Sequence, residues 1–288
     1  MRSHRALPLV VPAVVLLLLL SAWPAVSQSS ADFVAVKGMD ERFRLDVGGF
    51  FQKFTTTIRV DSATRGQGTE VNLEDDLGLS SNQANFRVDG YWRFGRHGRV
   101  DFAYTGWNRN SSHTLDRDVT VGDTVYHAGA QLDTKLRVSL IEVYYGYSFW
   151  NTPTFELGAQ LGVSALINRA EFEGTGTISG GGGSATASYS GQGRSLTAPV
   201  PSVGVQLRYT LMPGLLVSGK IRGMSVTIDN VKASEMEGRL GLDYYPWKNW
   251  GFGVAYDYMD IKVTKQSDPS LELNYKYSGP MVYLTMAF

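Results

Sequence analysis

The chain has 288 residues, no cysteine, 32 glycines and 15 tyrosines, and its 27 basic side chains balance 27 acidic ones. That balance excludes a basic nucleic-acid binder as the default. No apolar run after the N-terminus is long enough for a membrane helix, and aromatics and glycines spread evenly through polar sequence predict many strands and turns.

Residues 1–27 read as a secretory signal peptide. Arg2 and Arg5 supply the charge, residues 7–20 the apolar core, and Ala25-Val26-Ser27 the small residues before a cleavage predicted ahead of Gln28. An uncleaved anchor is the competing reading, disfavoured by Pro8 and Pro12 inside a short run. Residues 28–41 show no strong period and are expected to be a short periplasmic lead-in.

From 42 to 288 the sequence alternates with a period of two, the signature of strands. The predicted fold is all-β, a single antiparallel transmembrane β-barrel of about ten strands, with eight and twelve as alternatives. The clearest segment sets Ala84, Phe86, Val88, Trp92 and Phe94 against Asn85, Arg87, Asp89, Tyr91 and Arg93. Others set Val100, Phe102 and Tyr104 against Arg99, Asp101 and Thr105, and Leu157, Leu161 and Val163 against Glu156, Gln160 and Ser164. Later segments oppose Val203, Val205 and Leu207 to Gln206 and Arg208, and Leu240 and Leu242 to Arg239 and Asp243. The first, fourth, seventh and tenth segments change phase midway. Either a bulge near Ser278-Gly279-Pro280 repairs the last of them, or the outer half of each long strand lies beyond the membrane.

Short and long connections alternate. Gly95 to Gly98, Asn151 to Pro153, Met212 to Gly214 and Lys248-Asn249 are tight turns. Between them lie long polar loops at 61–83, 108–133 and 173–194, then shorter ones near 229–234 and 266–270. Short periplasmic turns and long outer loops are the rule for outer-membrane barrels. Trp92, Phe94, Phe149, Trp150, Phe155, Trp247, Trp250, Phe252 and Phe288 gather at the short-turn end and predict one interfacial belt. Tyr104, Trp107, Tyr258, Tyr275 and Tyr277 are expected to form the opposite belt. A β-sandwich, the alternative fold, gives no reason for tryptophans to collect at one end.

The run Val71-Asn72-Leu73-Glu74-Asp75-Asp76-Leu77-Gly78-Leu79, with Phe86 to Phe94 after it, resembles an uncharacterised group of Gram-negative outer-membrane β-barrel proteins. Met286-Ala287-Phe288 is similar to the C-terminal signal of outer-membrane proteins in general. The resemblance covers 42–288 and implies the bacterial outer membrane as location. It also implies Phe288 as an assembly signal, and the barrel-assembly machinery and outer-membrane lipid, including lipopolysaccharide, as partners. The OmpA membrane domain and OmpW, small relatives in architecture, are usually given eight strands, so no functional residue transfers from them.

The inward faces are charged. Arg87, Arg93, Arg99, Arg208, Lys220, Arg222 and Arg239 are expected to face Asp89, Asp101, Glu142, Glu156, Glu235, Glu237, Asp243 and Asp257 across the lumen. In a narrow barrel, opposite charges on neighbouring strands pair and fill the space. The reading is therefore a non-enzymatic, monomeric envelope protein acting through its long loops, with a narrow diffusion channel as first alternative and a rim-site hydrolase as second. No catalytic residue, cofactor or metal site is assigned. His113 and His127 share one outer loop with Asp116, Asp118 and Asp123, but closeness in sequence does not make a dyad. Gly180 to Gly183 lacks the Lys-Ser/Thr of a phosphate loop. Glu74-Asp75-Asp76 is either a divalent-cation contact or a solvated loop tip.

Overall fold

The computed structural model describes residues 39, 41–61, 66–121, 124–180, 183–191, 195–266 and 270–288. The predicted signal peptide and most of the lead-in lie outside the described residues. The strands, in order, are β1 (Phe43–Val60), β2 (Val71–Asn72), β3 (Asn82–Phe94), β4 (Gly98–Thr114), β5 (Val119–Val121), β6 (Thr124–Tyr126), β7 (Gln131–Asn151), β8 (Phe155–Gly180), β9 (Gly183–Gly191), β10 (Ser195–Met212), β11 (Leu215–Ile228), β12 (Val231–Tyr244), β13 (Trp250–Lys265) and β14 (Leu271–Ala287). Ten of them, β1, β3, β4, β7, β8 and β10 to β14, pair with sequence neighbours, and β14 pairs with β1 to close an antiparallel barrel. Closure leaves the barrel without an open edge, the condition for spanning hydrocarbon with strands.

The turns at one end are tight, as expected. At Met212-Pro213-Gly214 the chain reverses with φ of +81° at Gly214, a conformation glycine adopts freely. The opposite end carries the long connections, which are less loop-like than the sequence suggests. β2 extends the sheet beside β1 above the end of β3, with Ile58 opposite Val71. The 108–133 segment is largely strand: β4 runs to Thr114, and β5 and β6 form a hairpin that joins β8. β8 and β9 form a second hairpin, from Phe172 opposite Gly191 to Gly180 opposite Gly183.

The wall faces two ways. Outward positions of the lower two thirds are apolar and exposed: Phe86, Val143, Leu161, Val205, Leu240, Val254 and Leu284 form a continuous band. Trp92, Phe149, Trp150, Trp247, Trp250 and Phe288 ring its lower margin, the girdle of a barrel in lipid.

Two expectations need correction. No bulge interrupts β14. Its register against β1 is constant from Arg44 opposite Ala287 to Val60 opposite Leu271, and against β13 from Trp250 opposite Met286 to Lys265 opposite Leu271. Ladder partners are lacking only for Phe51 and Gln52, beside Gly279 and Pro280, where a side chain on Gly279 would collide with the Phe51 carbonyl. The phase change therefore marks where each strand leaves the membrane. The second correction concerns the upper belt. Trp107, Tyr275 and Tyr277 are buried inside the barrel, leaving Tyr104 exposed and Tyr258 half-buried.

Candidate functional site: the filled lumen and its rim

Inward positions alternate with the apolar band and carry the charges. Near the short turns, Glu156 accepts hydrogen bonds from Arg93 at 2.8 Å and Ser148, with Arg208 at 3.4 Å and Arg99 at 3.5 Å. Glu41, just ahead of β1, takes a second Arg208 nitrogen at 2.5 Å and the Tyr91 hydroxyl. The Arg99 guanidinium lies 4.5 Å from the centre of the Tyr91 ring, a cation–π contact. Met39 packs with Leu216, Tyr245 and Ala287 beside this layer.

A second layer is built on Arg44. It forks onto Asp243 at 2.7 and 3.0 Å and turns its Nε to Asp46 at 2.9 Å, while the Tyr283 hydroxyl donates to Asp243 at 2.6 Å. In the third layer Glu142 accepts from Arg222 at 2.9 Å and Arg87 at 3.2 Å, with Lys220 Nζ at 3.7 Å. Glu237 pairs with Arg222 at 2.7 Å and Lys220 at 2.8 Å. Arg239 bridges Asp89 at 3.2 Å and Asp257 at 3.6 Å. Above these, Arg222 stacks 3.7 Å from the Tyr144 ring centre, and the Tyr144 hydroxyl meets Ser164 at 2.8 Å, Ser202 at 3.2 Å and Glu235 at 3.1 Å.

The structure thus brings Arg87, Asp89, Arg93, Arg99, Glu142, Glu156, Arg208, Lys220, Arg222, Glu235, Glu237, Arg239, Asp243 and Asp257 together inside the barrel. Asp101 stands at the edge of the set, held by Arg99 at 2.9 Å. A cavity of about 90 Å³ remains between the layers, lined by Arg44, Asp89, Asp101, Lys220 and Arg239 among others. That is space for a few waters beside charged walls. Sequence reasoning missed Arg44, Asp46 and Glu41. Arg44 and Asp46 alternate with Leu45 and Val47, but two glycines and then Phe50-Phe51 blur the face of that strand.

The upper lumen changes character. Phe54, Trp107, Tyr275 and Tyr277 pack with ring centres 5.6 to 6.5 Å apart. Leu136, Leu140, Leu166, Met259, Ile261 and Leu273 complete this plug from the strands. Val71, Leu73, Leu77 and Leu79 from the first loop and Leu115 and Val119 from the second close it from above. Arg109, buried beneath that lid, donates to Glu74 at 2.5 Å, to the Ser80 carbonyl and to Thr56 Oγ1.

The acidic triplet of the first loop is therefore not merely a solvated tip. Glu74 holds Arg109 and the Thr56 amide, and Asp76 takes Arg117 at 2.7 Å. The Arg117 hydrogen bond holds the Asp76 carboxyl below the ordinary value of 3.8. Among the described residues no group of three or more His, Cys, Asp or Glu side chains could hold a metal. His113 lies 4.0 Å from Asp116, and His127 Nδ1 lies 3.0 Å from Asp118, whose other oxygen takes the Ala128 amide. Those bonds keep the Asp118 carboxyl below its usual range. Asp123 lies outside the described residues, as do two members of the Gly180 to Gly183 run. His97, in a short turn, meets the Ser148 carbonyl and stacks on Tyr147. Phe288 closes the seam: its amide donates to the Phe43 carbonyl, and its own carbonyl accepts from Arg42 and Phe43.

An apolar outer wall around a charged interior is the inverse of a soluble protein, and together with the closed ring it defines an integral β-barrel of the Gram-negative outer membrane. A solved structure with this fold belongs to the same class. The outer membrane protease OmpT of Escherichia coli superimposes with a TM-score of 0.57 at 14% identity, over 91% of this chain and 100% of that one. The translocator domain of the autotransporter NalP of Neisseria meningitidis gives 0.47 at 13% identity, over 88% and 92%. OprG of Pseudomonas aeruginosa gives 0.36 at 11%, over 86% and 97%. No protein-family model matches the sequence, and neither does any curated protein.

Proposed function

We propose that this barrel is a closed, non-enzymatic outer-membrane protein that acts at the cell surface through its outer loops. The carrying observation is the double filling of the lumen: ion-paired layers across the membrane and an aromatic plug sealed by two loops above. A permeant solute would have to break buried ion pairs and then displace Leu73, Leu77 and Leu79 from the core. Planar-bilayer recording of the purified chain is expected to give no steady single-channel steps. A regular ohmic conductance would replace this reading with the diffusion channel.

One observation favours a second reading. The barrel fold is shared with an outer-membrane protease, and the His127–Asp118 contact of 3.0 Å stands on the rim. A histidine oriented by a carboxylate is the core of a general base. Peptide-cleavage assays on intact cells, with His127→Ala as control, decide it. Cleavage lost in His127→Ala would establish a hydrolase.

A further inference from the structure

We propose that Arg137 and Arg169, on the outer wall at β7 and β8, bind the phosphate group of a phosphorylated lipid in the outer leaflet. The two residues stand directly opposite each other in the ladder, and both are exposed. Both are at odd positions of strands whose even positions, Leu136, Leu140, Glu142 and Leu166 among them, are buried inside the barrel. The guanidinium groups therefore point away from the lumen. Asn108 of β4, exposed, faces Arg137 from its other side. One row across three strands thus offers two guanidiniums and a carboxamide.

Like charges placed directly opposite on a sheet destabilise it. Relief here is partial: Arg169 lies 3.3 Å from Glu171, whereas Arg137 has no ion-pair partner among the described residues. Opposed residues on one sheet face have Cβ atoms about 4.5–5.5 Å apart, so two guanidinium forks reach a single phosphate. A dianion between them removes the repulsion and replaces it with bidentate hydrogen bonds.

Position identifies the source of the phosphate. One rung down the wall are Ser139 and Ile167, then Ile141 and Ala165, then Val143 and Val163, where the lipid-facing band begins. One rung up are Lys135 and Glu171, and then Asp133 and Glu173, which are solvent-facing charges. The arginine row lies on the border, at the level of headgroups whose acyl chains run down the apolar wall. The proposal rests on the membrane placement of the barrel and is independent of what the loops do.

The test titrates the full chain in zwitterionic micelles with short-chain phosphatidic acid, with phosphatidylcholine of the same chains, and with inorganic phosphate. Binding is read from the shift of the thermal midpoint of the folded gel band. Phosphatidic acid is expected to bind at least tenfold more tightly than phosphatidylcholine, and the double variant Arg137→Gln/Arg169→Gln to lose that preference. Arg169→Glu should also lose it while raising the ligand-free midpoint, because the repulsive row becomes an ion pair. Arg137→Lys/Arg169→Lys keeps charge without the fork and should bind at an intermediate level. It serves as the second variant if the double glutamine form fails to insert. Equal binding of the two lipids, or a preference that survives both Arg169→Glu and the double variant, overturns the proposal. Inorganic phosphate binding as tightly as phosphatidic acid overturns the lipid assignment.

Discussion

The lower and upper halves of the same strands solve opposite problems. On β14, Val282, Leu284 and Met286 face out while Tyr283 and Thr285 face in; higher up, Glu272, Asn274 and Lys276 face out while Leu273, Tyr275 and Tyr277 face in. The parity never changes, because a single-residue slip would turn every side chain over. Only the chemistry is exchanged. In the membrane the outer wall already lies in hydrocarbon, so burying apolar groups inside gains little, and the lumen is filled with paired charges. Above the membrane the outer wall meets water, and the interior becomes a hydrophobic core like that of a soluble barrel. Burial there contributes about 1.5–3 kcal/mol per large side chain, and that core anchors the two loops covering the mouth.

The largest expected effect breaks the lower half. Glu142 neutralises Arg87, Lys220 and Arg222 at once. Glu142→Leu leaves those three cations with only Glu237 and Asp89 as counter-ions among the described residues and is expected to cost about 3–5 kcal/mol. Urea unfolding in micelles, followed by the shift of the folded gel band, measures it. A loss below 1 kcal/mol would mean that water in the lumen screens the layer and that the ion pairs contribute little.

The next test compares the two halves on one face of one strand. Leu284→Arg puts a charge into the apolar band, at a cost of about 2–4 kcal/mol near mid-membrane. Asn274→Arg, on the same face of β14 but above the membrane, should stay within about 0.5 kcal/mol of wild type. Equal costs would show that the border between the halves is drawn in the wrong place.

That border is also where the sequence stops being transparent. The closed antiparallel barrel, its ten strands and the lower aromatic ring are legible because lipid imposes a strict period of two and interfaces attract amphipathic rings. The charged lumen residues are legible for the same reason, since each alternates with an apolar neighbour. Trp107, Tyr275 and Tyr277 misled because an aromatic ring suits both an interface and a core. Only the polarity of its neighbours, Asn108 and Asn110 beside Trp107 and Asn274 and Lys276 beside the tyrosines, tells which side it faces. Glu74 and Asp76 were opaque because their partners, Arg109 and Arg117, lie more than thirty positions away. No local pattern encodes such a contact.

The smallest effect sharpens the upper half. Hydrogen bonding from Arg117 lowers the Asp76 pKa in the folded state, and Asp76 also accepts the Asn72 amide. A carboxylate with a depressed folded pKa stabilises the fold above its unfolded value, and the contribution disappears as pH falls through the folded one. The first loop should therefore be held at neutral pH and loosen as the solution is acidified below about pH 4. Half-exposed Arg117 keeps this pair in the range of a surface ion pair, at most about 1 kcal/mol, so only the loop responds. Hydrogen exchange of the amides of Asn72 and Leu73 should speed up on acidification beyond the intrinsic pH trend, while those of Tyr283 and Leu284 follow that trend alone. In Asp76→Asn the excess at the loop should vanish. An excess that survives Asp76→Asn would show that the Asp76–Arg117 pair is not what holds the loop.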